Sequence, residues 1–172
     1  MKKESVARVE AGRRNIRNGK IVEERVKVAC EVYKEKGVAC IDKNSEPVQI
    51  VKSLEKQGGF YLARFVQKAK PDFEGVLCGG RAILFDVKST EQEQIKASAL
   101  SKVQAQYLEQ YDKMGAISAV LVCLQPEDFF MVPWKVWKEM KMAFGHLHMT
   151  REELEPYRVD GNGYIHFLEK IV

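Results

Sequence analysis

At 172 residues the chain is long enough for one domain with a real hydrophobic core, and 45% hydrophobic and 30% charged residues are ordinary for a globular protein in water. No uninterrupted apolar run reaches the length of a membrane span, and the Met-Lys-Lys-Glu start lacks an apolar stretch, so neither a membrane helix nor a secretory leader is expected. The net charge of +4 is unevenly placed: Lys2, Lys3, Arg8, Arg13, Arg14, Arg17 and Lys20 face only Glu4 and Glu10 in the first 20 residues, which leaves the body close to neutral.

Residues 1–18 hold too few apolar side chains to pack alone and are expected to form a flexible basic arm, followed by a single domain over 19–172. Basic arms on neutral bodies suit nucleic acid, because each neutralised phosphate releases counterions. Arg13, Arg14 and Arg17 are its candidate DNA contacts, with Lys43 and Lys68 candidates on the body. From Gly19 to Gly37 the apolar positions Ile21, Val22, Val26, Ala29, Val32 and Tyr33 recur at helical steps. Glu23 and Glu24 fall in the first turn of that helix, where carboxylates suit its dipole.

A first strand is read at 37–41, a polar loop at 43–47 and a short extended piece at 48–51. Another strand follows around 59–66. Residues 89–98 read as a polar, mobile segment. A second amphipathic helix spans 100–113, with Leu100, Val103, Tyr107 and Tyr111 on one face. Ile117–Leu124 is almost continuously apolar, the pattern of a central strand covered on both faces, and Asp128–Val132 is its expected hairpin partner. Short helices at 134–142 and 150–157 and a closing strand at 164–168 complete the reading.

The chemistry concentrates between the strand around 59–66 and the helix at 100–113. Pro71-Asp72 is followed by a hairpin turn at Cys78-Gly79-Gly80-Arg81 and then by an apolar strand ending in Phe85-Asp86-Val87-Lys88. Alternate side chains of a strand share a face, so Asp86 and Lys88 point together while Val87 faces the core. A hairpin returns Asp72 beside them. Two converging carboxylates suit a hard divalent cation such as Mg²⁺, and a neighbouring lysine suits the charge of a phosphate. The pattern outlines a metal-dependent phosphodiesterase, although acids and lysines at a strand end are often only a solvated edge.

Cys30, Cys40, Cys78 and Cys123 stand too far apart for a Cys-x-x-Cys motif, and three of them read as small buried hydrophobes, consistent with a reduced, cytoplasmic setting. His146 and His148 form a His-x-His pair with no evident third metal ligand.

The order of helix, strands carrying acid and acid-x-Lys, helix and buried strand resembles the PD-(D/E)xK nucleases: an α/β, restriction-endonuclease-like core with a mixed central β-sheet flanked by helices. Within that superfamily the chain resembles the RecU family of Holliday-junction resolvases. The resemblance rests on Gly19-Lys20-Ile21-Val22-Glu23, on the loop Ile41-Asp42-Lys43-Asn44-Ser45-Glu46-Pro47-Val48-Gln49-Ile50-Val51, on Asp72-Phe73-Glu74-Gly75-Val76, on Phe85-Asp86-Val87-Lys88-Ser89-Thr90 and on Val103-Gln104. Asp86 stands where the family has glutamate, Pro71 where it has threonine, and one proline remains of the loop's two. A divergent or phage-type member fits these departures.

The resemblance implies an endonuclease that resolves four-way junction DNA in recombination and repair. It implies Asp72, Asp86, Lys88 and Glu23 as catalytic residues, with Asp72, Asp86 and Gln104 around Mg²⁺ or Mn²⁺. It also implies a homodimer whose two sites nick opposed strands, with recombination proteins as possible partners. Two other readings are compatible with the residues: an endonuclease of the same fold acting on duplex or flapped DNA, and a non-catalytic DNA-binding accessory protein.

Overall fold

The computed structural model describes residues 2–45, 48–54, 60–65, 70–125 and 127–171. The first helix, α1 (Lys2–Glu35), begins seventeen residues before the expected Gly19 and takes in the segment read as a flexible arm. Local chemistry permits this: residues 2–18 contain no proline, one glycine, and many of the alanines, glutamates, lysines and arginines that favour helix. Its core-facing stripe keeps four of the six expected positions, with Ile21 exposed, Val32 only partly buried and Cys30 added. Val22, Val26, Ala29, Cys30 and Tyr33 recur every three or four residues and are all buried.

The remaining elements are β1 (Ala39–Lys43), β2 (Val48–Leu54), β3 (Phe60–Phe65), β4 (Phe73–Leu77), β5 (Ala82–Thr90), β6 (Gln94–Lys96) and α2 (Lys102–Lys113). They are followed by β7 (Ile117–Leu124), β8 (Asp128–Pro133), α3 (Trp134–Lys138), α4 (Met140–Phe144), β9 (His148–Thr150), α5 (Arg151–Leu154) and β10 (Arg158–Val159). Six strands make the central sheet in the order β1-β4-β5-β7-β8-β10, whereas β2 with β3 and β6 with β9 form separate two-stranded sheets. Only β5 and β7 of the central sheet pair in parallel; the other neighbours are antiparallel, so the sheet is mixed. A parallel pair needs a crossover, and α2 lies within it.

The sheet separates two apolar layers. On one face α1 packs with Phe73, Phe85, Val87, Phe129 and Phe167, the rings of Phe73 and Phe85 stacking 5.2 Å apart. On the other, Leu108 of α2 joins Leu84, Val120, Phe130, Trp134 and Trp137. Every residue of β7 is buried, as its continuous apolar run requires. The expected mixed sheet flanked by helices is present.

The turn from β4 to β5 needs its glycines. Gly79 and Gly80 have φ of +93° and +87°, a region that residues with a Cβ avoid. Gly75 of β4 answers a different need. It pairs with Ile41, and a Cβ placed there would lie 2.1 Å from the Cys40 carbonyl oxygen.

Several sequence expectations are corrected. Residues 89–98 are ordered: β5 continues to Thr90, and β6 pairs with β9 through the buried Ile95. No strand forms at 164–168. There Ile165, Phe167 and Leu168 are buried around a 3-10 segment, with the Leu168 amide donating to Tyr33 Oη at 3.2 Å, and the sheet edge is taken by β10 against β8. The helix expected at 134–142 is divided at Glu139, and the one at 150–157 tightens to 3-10 after Leu154. On α2 the deeply buried positions are Gln104 and Leu108, one step along from the expected stripe. Only Cys30 and Cys123 are buried; Cys40 and Cys78 are exposed. Among the described residues no helix is long and apolar enough to cross a membrane.

Candidate active site

The site sits where β4 begins and β5 ends its buried stretch. Phe73 pairs with Phe85, so one residue outward Asp72 comes opposite Asp86. Asp72 is braced from both sides. The Val87 amide donates to its Oδ2 at 2.9 Å, and the Asn44 amide donates to its carbonyl at 2.7 Å. Asn44 Nδ2 also donates to the Pro71 carbonyl at 2.8 Å, which fixes the approach to the strand.

Asp86 is fully buried, an expensive place for a carboxylate. Val87 lies in the α1-side core, and Asp86 and Lys88 share the other face, as strand alternation requires. Lys88 Nζ is 2.6 Å from Asp86 Oδ2, an ion pair at hydrogen-bonding distance. Asp86 Oδ1 accepts from Gln104 Nε2. Burial, followed by the charge of Asp72, pushes the Asp86 carboxyl up to about 7 against the pull of Lys88. Asp72 is raised as well, first by burial and further by Glu23, while the Val87 amide, Lys88 and Lys43 oppose the shift.

Glu23 is half-buried on α1 and pairs with Lys43 of β1. The structure therefore brings Asp72, Asp86, Lys88, Gln104, Glu23 and Lys43 into one neighbourhood. Gln104 enters it with its nitrogen: the side-chain oxygen expected as a metal ligand accepts from the Ser101 amide at 3.0 Å instead. Arg17 is exposed on α1. The side chains of Arg13 and Arg14, and the whole of Lys68, lie outside the described residues. His146 and His148 are elsewhere, their rings stacked 3.8 Å apart, with His146 Nε2 3.3 Å from Glu153.

The donor set fits a hard divalent cation. The charge of Asp72 raises the proton affinity of Asp86, and that of Glu23 raises the proton affinity of Asp72, a crowding of negative charge that a bound cation relieves. Among the described residues no group of three or more His, Cys, Asp and Glu is arranged to hold a metal. A site with two carboxylates suits Mg²⁺, which retains several waters.

Residues 17–171 match the family model RecU, Recombination protein U. The chain belongs to the RecU family. Membership makes it a structure-selective, junction-resolving nuclease, as the sequence resemblance implied. None of the curated proteins matches it. Among solved structures it is similar to Hjc, a Holliday junction resolvase from the archaeal hyperthermophile Archaeoglobus fulgidus, with a TM-score of 0.45 and 12% identity over 73% of this chain and 87% of that one.

Two residues that brace this candidate site were given no role by the sequence reading. Asn44 sat in a polar loop and carries no local signal. Ser101 did carry one: Ser101-x-x-Gln104 ahead of an apolar periodic run is a capping-box signature, and both of its reciprocal hydrogen bonds are present.

Proposed function

We propose that this RecU-family nuclease cuts four-way DNA junctions by Mg²⁺-dependent hydrolysis, with Mn²⁺ as a substitute, through Asp72, Asp86, Lys88 and Glu23. The observation that carries the reading is the fully buried Asp86, with Asp72 opposite and Lys88 Nζ 2.6 Å from its Oδ2. Asp72 and Asp86 would hold the cation. When bound, it supplies positive charge against the scissile phosphate and lowers the pKa of a coordinated water.

The protein's own groups account for the rest. Lys88, already drawn to the site by Asp86, offers three donors to a phosphate oxygen or to the attacking water. Asn44 and the Val87 amide keep Asp72 in position. Glu23, held by Lys43, bounds the site from α1 and adds negative charge beside Asp72. Arg13, Arg14, Arg17, Lys43 and Lys68 would carry the phosphate backbone. The working unit would be a homodimer in the cytoplasm, its two-fold axis matching that of the junction so that each site nicks one of two opposed strands.

The test is a cleavage assay on a synthetic four-way junction and on a linear duplex built from the same arms, with Mg²⁺ or with EDTA. Paired nicks in the junction, little cutting of the duplex and no product in EDTA are expected. Equal cutting of both substrates would give the activity to a general endonuclease, and cutting in EDTA would remove the metal from the mechanism.

A further inference from the structure

Gln104 is a buried polar residue whose hydrogen bonds run to Ser101 on one side and Asp86 on the other. Its backbone amide donates to Ser101 Oγ at 3.2 Å, and its side-chain Oε1 accepts from the Ser101 amide at 3.0 Å. An amide oxygen that receives an N–H must face it, which turns Nε2 the opposite way. Nε2 meets Asp86 Oδ1 there. Gln104 is 8% exposed and Asp86 0%, so solvent offers neither group a ready substitute.

We infer that the Ser101–Gln104 capping box of α2 is a positioning device for Asp86, fixing the carboxylate so that Oδ2 faces Asp72 and Lys88. The inference rests on the reading of Asp72 and Asp86 as the cation site. Gln104 then acts through Asp86 rather than as a ligand, and Ser101 acts through Gln104. The cap does two jobs with one set of bonds: it starts the helix, and it aims the side-chain nitrogen that holds the buried carboxylate. Partners of this kind orient metal-binding carboxylates, and their loss typically lowers metal affinity about tenfold or more.

A second capping box in the same chain supplies a matched control. Thr150 and Glu153 start α5 with the same reciprocal bonds, away from the acidic cluster. The experiment titrates DNA-free protein with Mn²⁺ alone, by calorimetry or by loss of the free-ion electron-spin signal, alongside thermal melting. Gln104→Met, which keeps length and removes both amide partners, should weaken Mn²⁺ binding by about tenfold. Ser101→Pro, which fits the φ of −71° there and removes both the amide that claims Gln104 Oε1 and the hydroxyl, should weaken it a few-fold, and Ser101→Thr, which keeps both, should leave it unchanged. Thr150→Ala should lower the melting temperature with Mn²⁺ affinity unchanged.

Unchanged affinity in both Gln104→Met and Ser101→Pro would overturn the inference. So would an affinity abolished in Gln104→Met and fully kept in Ser101→Pro, which would make Gln104 a direct ligand. Equal weakening in Thr150→Ala would reduce the effect to general destabilisation and overturn it too. The Ser101 pair decides the matter if Gln104→Met does not fold. Asp86→Asn serves as the separate check: Mn²⁺ binding that survives this change would sink the cation site itself rather than the role of the cap.

Discussion

Two carboxylate clusters in this molecule are built from similar residues and end in opposite electrostatic states. Asp128 accepts from Arg151 and from Arg158, each at 2.6 Å, and those arginines reach on to Glu93 and Glu155. The bond from Arg158 and then that from Arg151 hold its carboxyl below the usual range. Asp86 receives one side-chain amide and one ammonium in a dry interior, with a second carboxylate opposite, and its carboxyl is raised. At Asp128 two arginines each satisfy one oxygen, whereas at Asp86 a single lysine provides a point of charge. The difference separates two uses of the same chemistry. The first cluster ties the chain after β5, β8 and the segment around α5 together, and the second stays receptive to a cation.

The largest effects should come from neutralising the receptive cluster. Asp86→Asn or Asp72→Asn is expected to cut junction cleavage by about two to three orders of magnitude or more, with metal-free junction affinity kept or improved, as read on gels. The melting temperature of Asp86→Asn should hold or rise, because a buried charge facing another is removed. Asp128→Ala should reverse the pattern. It is expected to cost about 2 kcal/mol in denaturant unfolding, since two charge-assisted bonds go, while cleavage by the folded enzyme persists. Equal stability losses at Asp86 and Asp128 would erase the distinction between the clusters.

Acidity sharpens the same contrast on a smaller scale. Asp86 titrates at about 7 when folded and at about 3.9 when unfolded, so the native state binds its proton more tightly and its contribution to stability grows as pH falls from about 7 to about 4. The stabilisation of Asp86→Asn over the parent protein should therefore shrink across that window in metal-free melting curves. Asp128 behaves oppositely. Its lowered value contributes stability above about pH 4 that is lost as pH falls through the folded value, so the deficit of Asp128→Ala should persist to about pH 5 and fade only below.

The smallest effect on the fold is expected from removing residues 1–18. Melting should change little, whereas the slope of log junction affinity against log salt should flatten by roughly 0.9 for each phosphate that the arm no longer neutralises. An unchanged slope would leave DNA holding to the body's lysines.

Legibility from sequence followed how much of each feature was local. Ile117–Leu124 declared itself because every residue is covered, and most of the inner stripe of α1 because Val22, Val26, Ala29 and Tyr33 repeat at helical steps. Asp72, Asp86 and Lys88 followed from a turn and from strand alternation. Residues 89–98 did not, because one buried residue, Ile95, anchors an otherwise polar run through pairing with a strand some fifty residues away. The closing strand was misplaced because Ile165, Phe167 and Leu168 mark burial without saying which backbone they meet. Gln104 could be nominated by family resemblance. Its direction could not, since that depends on which end of the amide the Ser101 amide claims.

Gly75 links the sheet edge to this chemistry in a way that makes it a mutational cliff. Any side chain there collides first with the Cys40 carbonyl and with Ile41, so β1 must leave β4 before β4 itself gives way. Detaching β1 carries off Asn44, the residue that grips the backbone of Asp72 and Pro71, and Lys43, the partner of Glu23. One added carbon, with no acid or base altered, would therefore loosen the carboxylate from behind.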